Sequence, residues 1–151
     1  MEIRIDDLRG PEIARLLMVR LDFMARQSPP EFSFALDLEA LRAPEITFWT
    51  VWDGGELIGC GAPKELSPDT GEIKSMQTVL ARRGGGLGGT MLRHIVAEAR
   101  RRGYARLYLE TGSMEAFAPA RALYARHGFV SCGAFGDYEA SDYNTFMTLA
   151  L

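Results

Sequence analysis

Five glycines occupy the six positions from Gly84 to Gly89, broken only by Leu87, at the point where a strand-like pattern gives way to a helical one. Glycine at this density loses conformational entropy on folding and returns no side-chain packing, so the segment must serve a backbone purpose. Before it, GEIKSMQTV (71–79) alternates as a half-exposed strand does. After it, Leu87, Met91, Leu92, Ile95, Val96 and Ala99 recur at helical spacing, and Arg100-Arg101-Arg102 followed by Gly103 ends the helix. A strand–loop–helix unit of this kind leaves main-chain N–H groups free at a helix start, where they favour an anion. Arg82 and Arg83 open the loop, and between Arg82 and Arg106 seven arginines face only Glu98, although the whole chain carries a net charge of −3. A positive patch on an acidic chain points to an anionic ligand there.

The rest of the chain supplies the frame. At 151 residues it is one domain. A strand over 1–5 is followed by an amphipathic helix from Pro11, with Ile13, Leu16, Leu17, Leu21 and Met24 on one face, broken at Ser28-Pro29-Pro30. A short helix is expected around Asp37 to Leu41. Three strands then form a meander, 46–52, 56–64 and 72–79, turning at Asp53-Gly54-Gly55 and Ser67-Pro68-Asp69-Thr70-Gly71. Beyond the glycine loop and its helix come a strand at 105–110, a helix from Pro119 to His127, and two closing strands at 129–134 and 144–151. The order is β-α-α-β-β-β-α-β-α-β-β. It predicts an α/β (α+β) domain with a mixed, mostly antiparallel sheet of about seven strands and four helices.

Composition narrows the function. The acidic balance argues against nucleic acid as the partner, and no apolar run is long enough for a membrane span. Cys60 and Cys132 fit neither a disulfide framework nor a metal motif, and His94 and His127 lie on separate helices, so no metal is expected. The start, MEIRIDDLRG, has no signal peptide, which sets the expectation of a cytoplasmic protein.

Gly84-x-Gly86-x-x-Gly89 matches the dinucleotide fingerprint, and Glu110 stands about twenty residues on, where a ribose carboxylate would be. The strand in front is too polar, and too few residues follow, for that fold. The same residues also read Arg83-Gly84-x-Gly86-x-Gly88. This resembles the R/Q-x-x-G-x-G/A pyrophosphate loop of the GNAT superfamily of acyl-CoA N-acyltransferases. GEIKSMQTV, LGGTMLRHIVAEARRRGY and the later ARALYARHGF are similar to that family's segments as well, and the resemblance covers about residues 46–134. It departs at Leu80, where the family often has proline, and at Phe117, where it often has asparagine.

The resemblance implies transfer of an acetyl group from acetyl-CoA to a primary amine, expected to be that of a small molecule, by direct attack in a ternary complex. Cofactor contacts would come from Gln77, Thr78 and Val79 on the strand, whose N–H groups would meet the acetyl oxygen, and from Arg83, Gly84, Gly85, Gly86, Leu87, Gly88 and Gly89 in the loop. Tyr124 aligns with the family's tyrosine and would protonate the departing thiolate. Glu72 is the candidate general base, provided burial raises its pKa, with Glu110 as the second candidate. Phe23, Phe32 and Phe34 would wall the acceptor site, with Glu110 beside them, and Asp137, Glu139 and Asp142 in the terminal loop would attract a cationic amine. An acyl-CoA sensor of the same fold, without turnover, is the main alternative, and a dinucleotide enzyme the weaker one. The C-terminal edge strands would suit pairing in a homodimer.

Overall fold

A computed structural model describes residues 1–27 and 38–151 of the chain. Seven strands, β1 (Glu2–Ile5), β2 (Trp49–Asp53), β3 (Glu56–Ser67), β4 (Thr70–Thr78), β5 (Arg106–Gly112), β6 (Val130–Cys132) and β7 (Asn144–Ala150), form one sheet in the order β1-β2-β3-β4-β5-β7-β6. Every neighbouring pair is antiparallel except β4 and β5, which run parallel. Their connection is the helix α2 (Leu87–Arg101), as a parallel pair requires a crossover.

Helices cover both faces. α1 (Pro11–Gln27) buries Ile13, Leu16 and Leu17 against Phe48, Leu57 and Cys60 on one side. On the other side, α2 and α3 (Ala118–Arg126) share a core with Ile73, Leu107, Leu109 and Phe129, in which Leu92, Ile95 and Leu107 are fully enclosed. The expected helix at 37–41 is not formed over the described residues. Ala40–Arg42 makes a single 3-10 turn, and Ala43 leaves it extended (φ −58°, ψ 148°), because the ring of Pro44 disfavours helical geometry in the preceding residue. The described residues thus hold three α-helices rather than four. β7 is also not an edge: it lies between β5 and β6, leaving only the three residues of β6 at the C-terminal margin for pairing between copies.

Two features of β4 position everything that follows. Its parallel pairing with β5 covers only Thr70 to Ile73 against Arg106 to Leu109 and then stops. Just beyond, its register with β3 slips by one residue, from Ala62↔Lys74 to Cys60↔Gln77, and Ser75 takes a left-handed backbone (φ 57°). This is a β-bulge, and a bulged strand bends. Gly61, facing it, has no room for a side chain: a Cβ there would lie 2.6 Å from Met76 Sδ and 3.0 Å from Met91 Cγ. Gly61→Val should therefore destabilise the fold by about 1–3 kcal/mol, a fall in Tm of several degrees by calorimetry.

Candidate active site

Where β4 and β5 part, the main chain of β4 is left open on one side. Val79 N–H donates to Ile58 O (3.0 Å), and Gln77 stands in register with Cys60, so these two residues direct their N–H groups to β3. Val79 is therefore not free to supply an oxyanion donor. Thr78, between them, turns its N–H and C=O outward, and its carbonyl accepts Arg83 Nε at 3.3 Å. Met76 O, also outward, accepts Arg20 Nη1 at 3.0 Å. Gln77 keeps a buried side-chain oxygen, Oε1, with no hydrogen-bond partner among the described residues.

The strand leads through a 3-10 turn, Leu80–Arg82, into the glycine loop. Gly84 and Gly86 take left-handed conformations (φ 83° and 84°), and Gly86 is the N-cap of α2 with no side-chain cap. A β-carbon is disfavoured at both. The N–H groups of Leu87, Gly88 and Gly89 thus start a helix with no partner of their own in it. Gly84, Gly85 and Gly86 are exposed beside the exposed Arg83, whereas Arg82 is held by Asp53 (2.8 Å). Of the loop's two leading arginines, Arg83 is the one that can meet an anion. The Arg100–Arg102 run lies at the far end of α2, where Arg101 and Arg102 pair with Glu98.

Below the loop a cleft opens between α1, β4, β5 and α3. Its walls carry Glu72, Lys74, Glu110, Tyr124, Tyr138 and Arg20 together with Leu21, Met24 and Phe117. Glu72 is 3% exposed; its Oε2 accepts Lys74 Nζ (2.9 Å) and the Tyr138 hydroxyl (2.5 Å), and Lys74 Nζ also reaches the Tyr138 oxygen (2.8 Å). Tyr138 is delivered from the loop between β6 and β7 by a cluster of rings: it packs on Phe135 and Phe146, and Phe135 on Tyr108. Burial and the neighbouring carboxylates hold the Tyr138 phenol well above its usual range, so it donates to Glu72 as a neutral hydroxyl.

Glu110, the first β5 residue past the end of the parallel pairing, is different. It makes no ion pair among the described residues, and burial pushes its carboxyl up to about 7, with the charge of Glu72 adding and those of Lys74 and Arg20 opposing. Tyr124 is buried between α3 and the cleft, and burial pushes its phenol up to about 12 against the opposing charge of Arg20. Phe117 lies across Gly112, where a Cβ would collide with its ring, and Phe23 of α1 stacks edge-on against it at 5.4 Å.

A family model described as the acetyltransferase (GNAT) family matches residues 12–129. The chain belongs to the GNAT family. It is 51% identical over its full length, and the full length of that protein, to the uncharacterized N-acetyltransferase YsnE of Bacillus subtilis. An acyl-CoA N-acyltransferase structure from Klebsiella pneumoniae is 27% identical, with TM-score 0.79 over 99% of this chain and 97% of that one. A Bacillus subtilis acetyltransferase solved in complex with CoA shares the fold at 18% identity, with TM-score 0.74 over 99% and 98% of the two chains. The GNAT chain is thus an acyl-CoA-dependent N-acetyltransferase, with a sheet that excludes the dinucleotide fold.

Among the residues singled out from sequence, Glu72, Glu110 and Tyr124 converge on one cleft of this GNAT domain, and Thr78, Arg83 and the glycines line its approach. Phe23 reaches the cleft through Phe117, not directly. Asp137 and Glu139 are exposed, with the intervening Tyr138 directed inward in their place. Phe32 and Phe34 lie outside the described residues. Lys74, Tyr138 and Arg20 were missed. Lys74 and Arg20 could have been flagged as charges inside otherwise amphipathic segments, whereas Tyr138 carries no such mark. Glu110 sets a stability test. Its folded pKa is raised, so burial costs nothing at a pH below its unfolded value and most above 7. Glu110→Gln should raise stability by up to about 3 kcal/mol at pH 8.5 and leave it nearly unchanged near pH 4.5, read from Tm at the two values.

Proposed function

We propose that the protein transfers the acetyl group of acetyl-CoA to the primary amine of a small molecule, the two substrates being bound together. The observation that carries this reading is the convergence, at the open edge of β4, of an unpaired carboxyl with a pKa of about 7 and a protonated phenol. The residues fit the cofactor. The helix-start N–H groups, the left-handed glycines and Arg83 suit a pyrophosphate, and the outward main chain of Met76 and Thr78 suits the amide-bearing arm as an added strand. When bound, acetyl-CoA supplies an activated acyl group whose C–S bond breaks as the C–N bond forms.

In this reading Glu110, not Glu72, is the general base. Its pKa lies near neutrality, so it is substantially ionised at pH 7 and takes the proton that the amine loses. Glu72 already accepts two hydrogen bonds from Lys74 and Tyr138 and acts by fixing the floor of the cleft. The Thr78 N–H faces the charge that grows on the carbonyl oxygen. Tyr124 donates a hydrogen bond to the departing sulfur. With its phenol near 12, full proton transfer to a thiolate of pKa about 8.5 is uphill by roughly 5 kcal/mol, so its part is stabilisation of the developing charge.

Thermal unfolding with CoA and, separately, NAD tests the cofactor: CoA at about 100 times its Kd should add roughly 2.7 kcal/mol, several degrees in Tm, and NAD nothing. Release of CoA thiol with a panel of amines then tests turnover. kcat/KM should rise through a pH of about 7 and level off above it, Glu110→Gln should remove that limb, and Tyr124→Phe should lower kcat by about 100-fold while the CoA-induced Tm shift persists. A CoA shift without thiol release across the panel would set aside a small-molecule amine as the acceptor.

A further inference from the structure

Among the described residues, Arg20 is the cleft cation that forms no ion pair. Arg20 projects from α1 into the same space as Glu110 and Tyr124, and its field is felt at both, opposing the rise in each pKa. Its one side-chain hydrogen bond to a neutral group, Met76 O at 3.0 Å, uses Nη1 alone, and a guanidinium has five donors. Among the described residues no carboxylate lies within ion-pair distance of it, whereas the cleft's other cation, Lys74, is closed on Glu72 and Tyr138. A half-buried charge is not offset by one carbonyl, and bracing the β4 edge at Met76 would need only a neutral amide.

Among the described residues the cleft therefore presents one carboxyl in no ion pair, at Glu110, and one cation with donors in reserve, at Arg20, both flanked by Leu21, Met24 and Phe117. We infer that the acceptor is a small amino acid with an apolar side chain, its amine directed to Glu110 and its carboxylate held by Arg20. A carboxylate matches the planar donor fork of arginine, and the apolar wall takes the remainder. The inference rests on the acetyl-transfer reading above and narrows its substrate.

Matched acceptors test it. CoA thiol release is followed with leucine and phenylalanine, with their primary amides, and with the corresponding decarboxylated amines. The amides have the less basic amine and react more readily in solution, so a preference for the free acids has to come from the protein. The wild type should favour each amino acid over its amide by about ten- to a hundred-fold in kcat/KM, mainly through KM. Arg20→Gln should collapse that ratio toward one, and Arg20→Lys, which keeps the charge without the fork, should hold part of it. The CoA-induced Tm shift confirms that each variant is folded, and if Arg20→Gln fails to fold, Arg20→Lys must still lower the ratio. Amides or amines used as well as the acids, or a ratio that survives both substitutions, would overturn the inference and leave acetyl transfer standing. No thiol release from any acceptor would overturn both.

Discussion

The residue inserted into β4 at Ser75–Met76 is the constraint on which the cleft depends. A parallel pair continued past Ile73 would satisfy the β4 main chain with β5 and close the sheet. The bulge stops this. It places a non-glycine residue at φ 57°, a strained conformation of about 1–2 kcal/mol, and bends β4 away from its neighbour. Outward N–H and C=O groups then remain at Met76 and Thr78, and the two carbonyls accept from Arg20 and Arg83. Both arginines brace the edge through single bonds, which keeps the strand open without filling the space in front of it.

The gap also separates two carboxylates that the sequence makes look equivalent. Glu72 and Glu110 sit on adjacent parallel strands, both directed toward α1. Glu72 lies inside the paired region, where Lys74, two residues along the same strand face, and Tyr138 from the far loop both reach it. Glu110 stands one residue beyond the pairing, where β4 has already turned away. One carboxylate becomes a fixed structural acceptor and the other an unpaired group poised near neutral pH. The division follows from where the ladder ends, since the local sequences EIK and LET give no hint of it.

Much of the frame was legible because it rests on periodicity and punctuation. The alternation of 71–79, the helical spacing after Leu87, and Gly103, Pro119 and Gly128 at helix limits all appear as strands, helices and stops in the fold. The glycine loop was legible for a related reason: left-handed backbone at Gly84 and Gly86 tolerates few other residues. What sequence could not show were contacts set by tertiary geometry. The choice between Glu72 and Glu110 required knowing where two strands part. The donors assigned to 77–79 required the register with β3, which points Val79 inward. Tyr138 hid between Asp137 and Glu139, whose charges drew attention although both face solvent. Its inward direction comes from the ring cluster with Phe135, Phe146 and Tyr108, residues spread over three elements.

Phe117 shows how the departure from the family pattern fits the same physics. An asparagine in its place would offer a polar contact from the start of α3. The phenyl ring instead lies across Gly112 and against Phe23, roofing the end of the cleft with apolar surface. Apolar cover lowers the local dielectric, which strengthens every charge interaction beneath it and raises the cost of an unpaired ion. That is the environment in which Glu110 is pushed toward 7 and Tyr124 toward 12. It is also one in which the charge of Arg20 gains most from a partner. Phe117 thus contributes apolar cover to the cleft whose burial raises both groups, in place of the polar contact an asparagine there would offer.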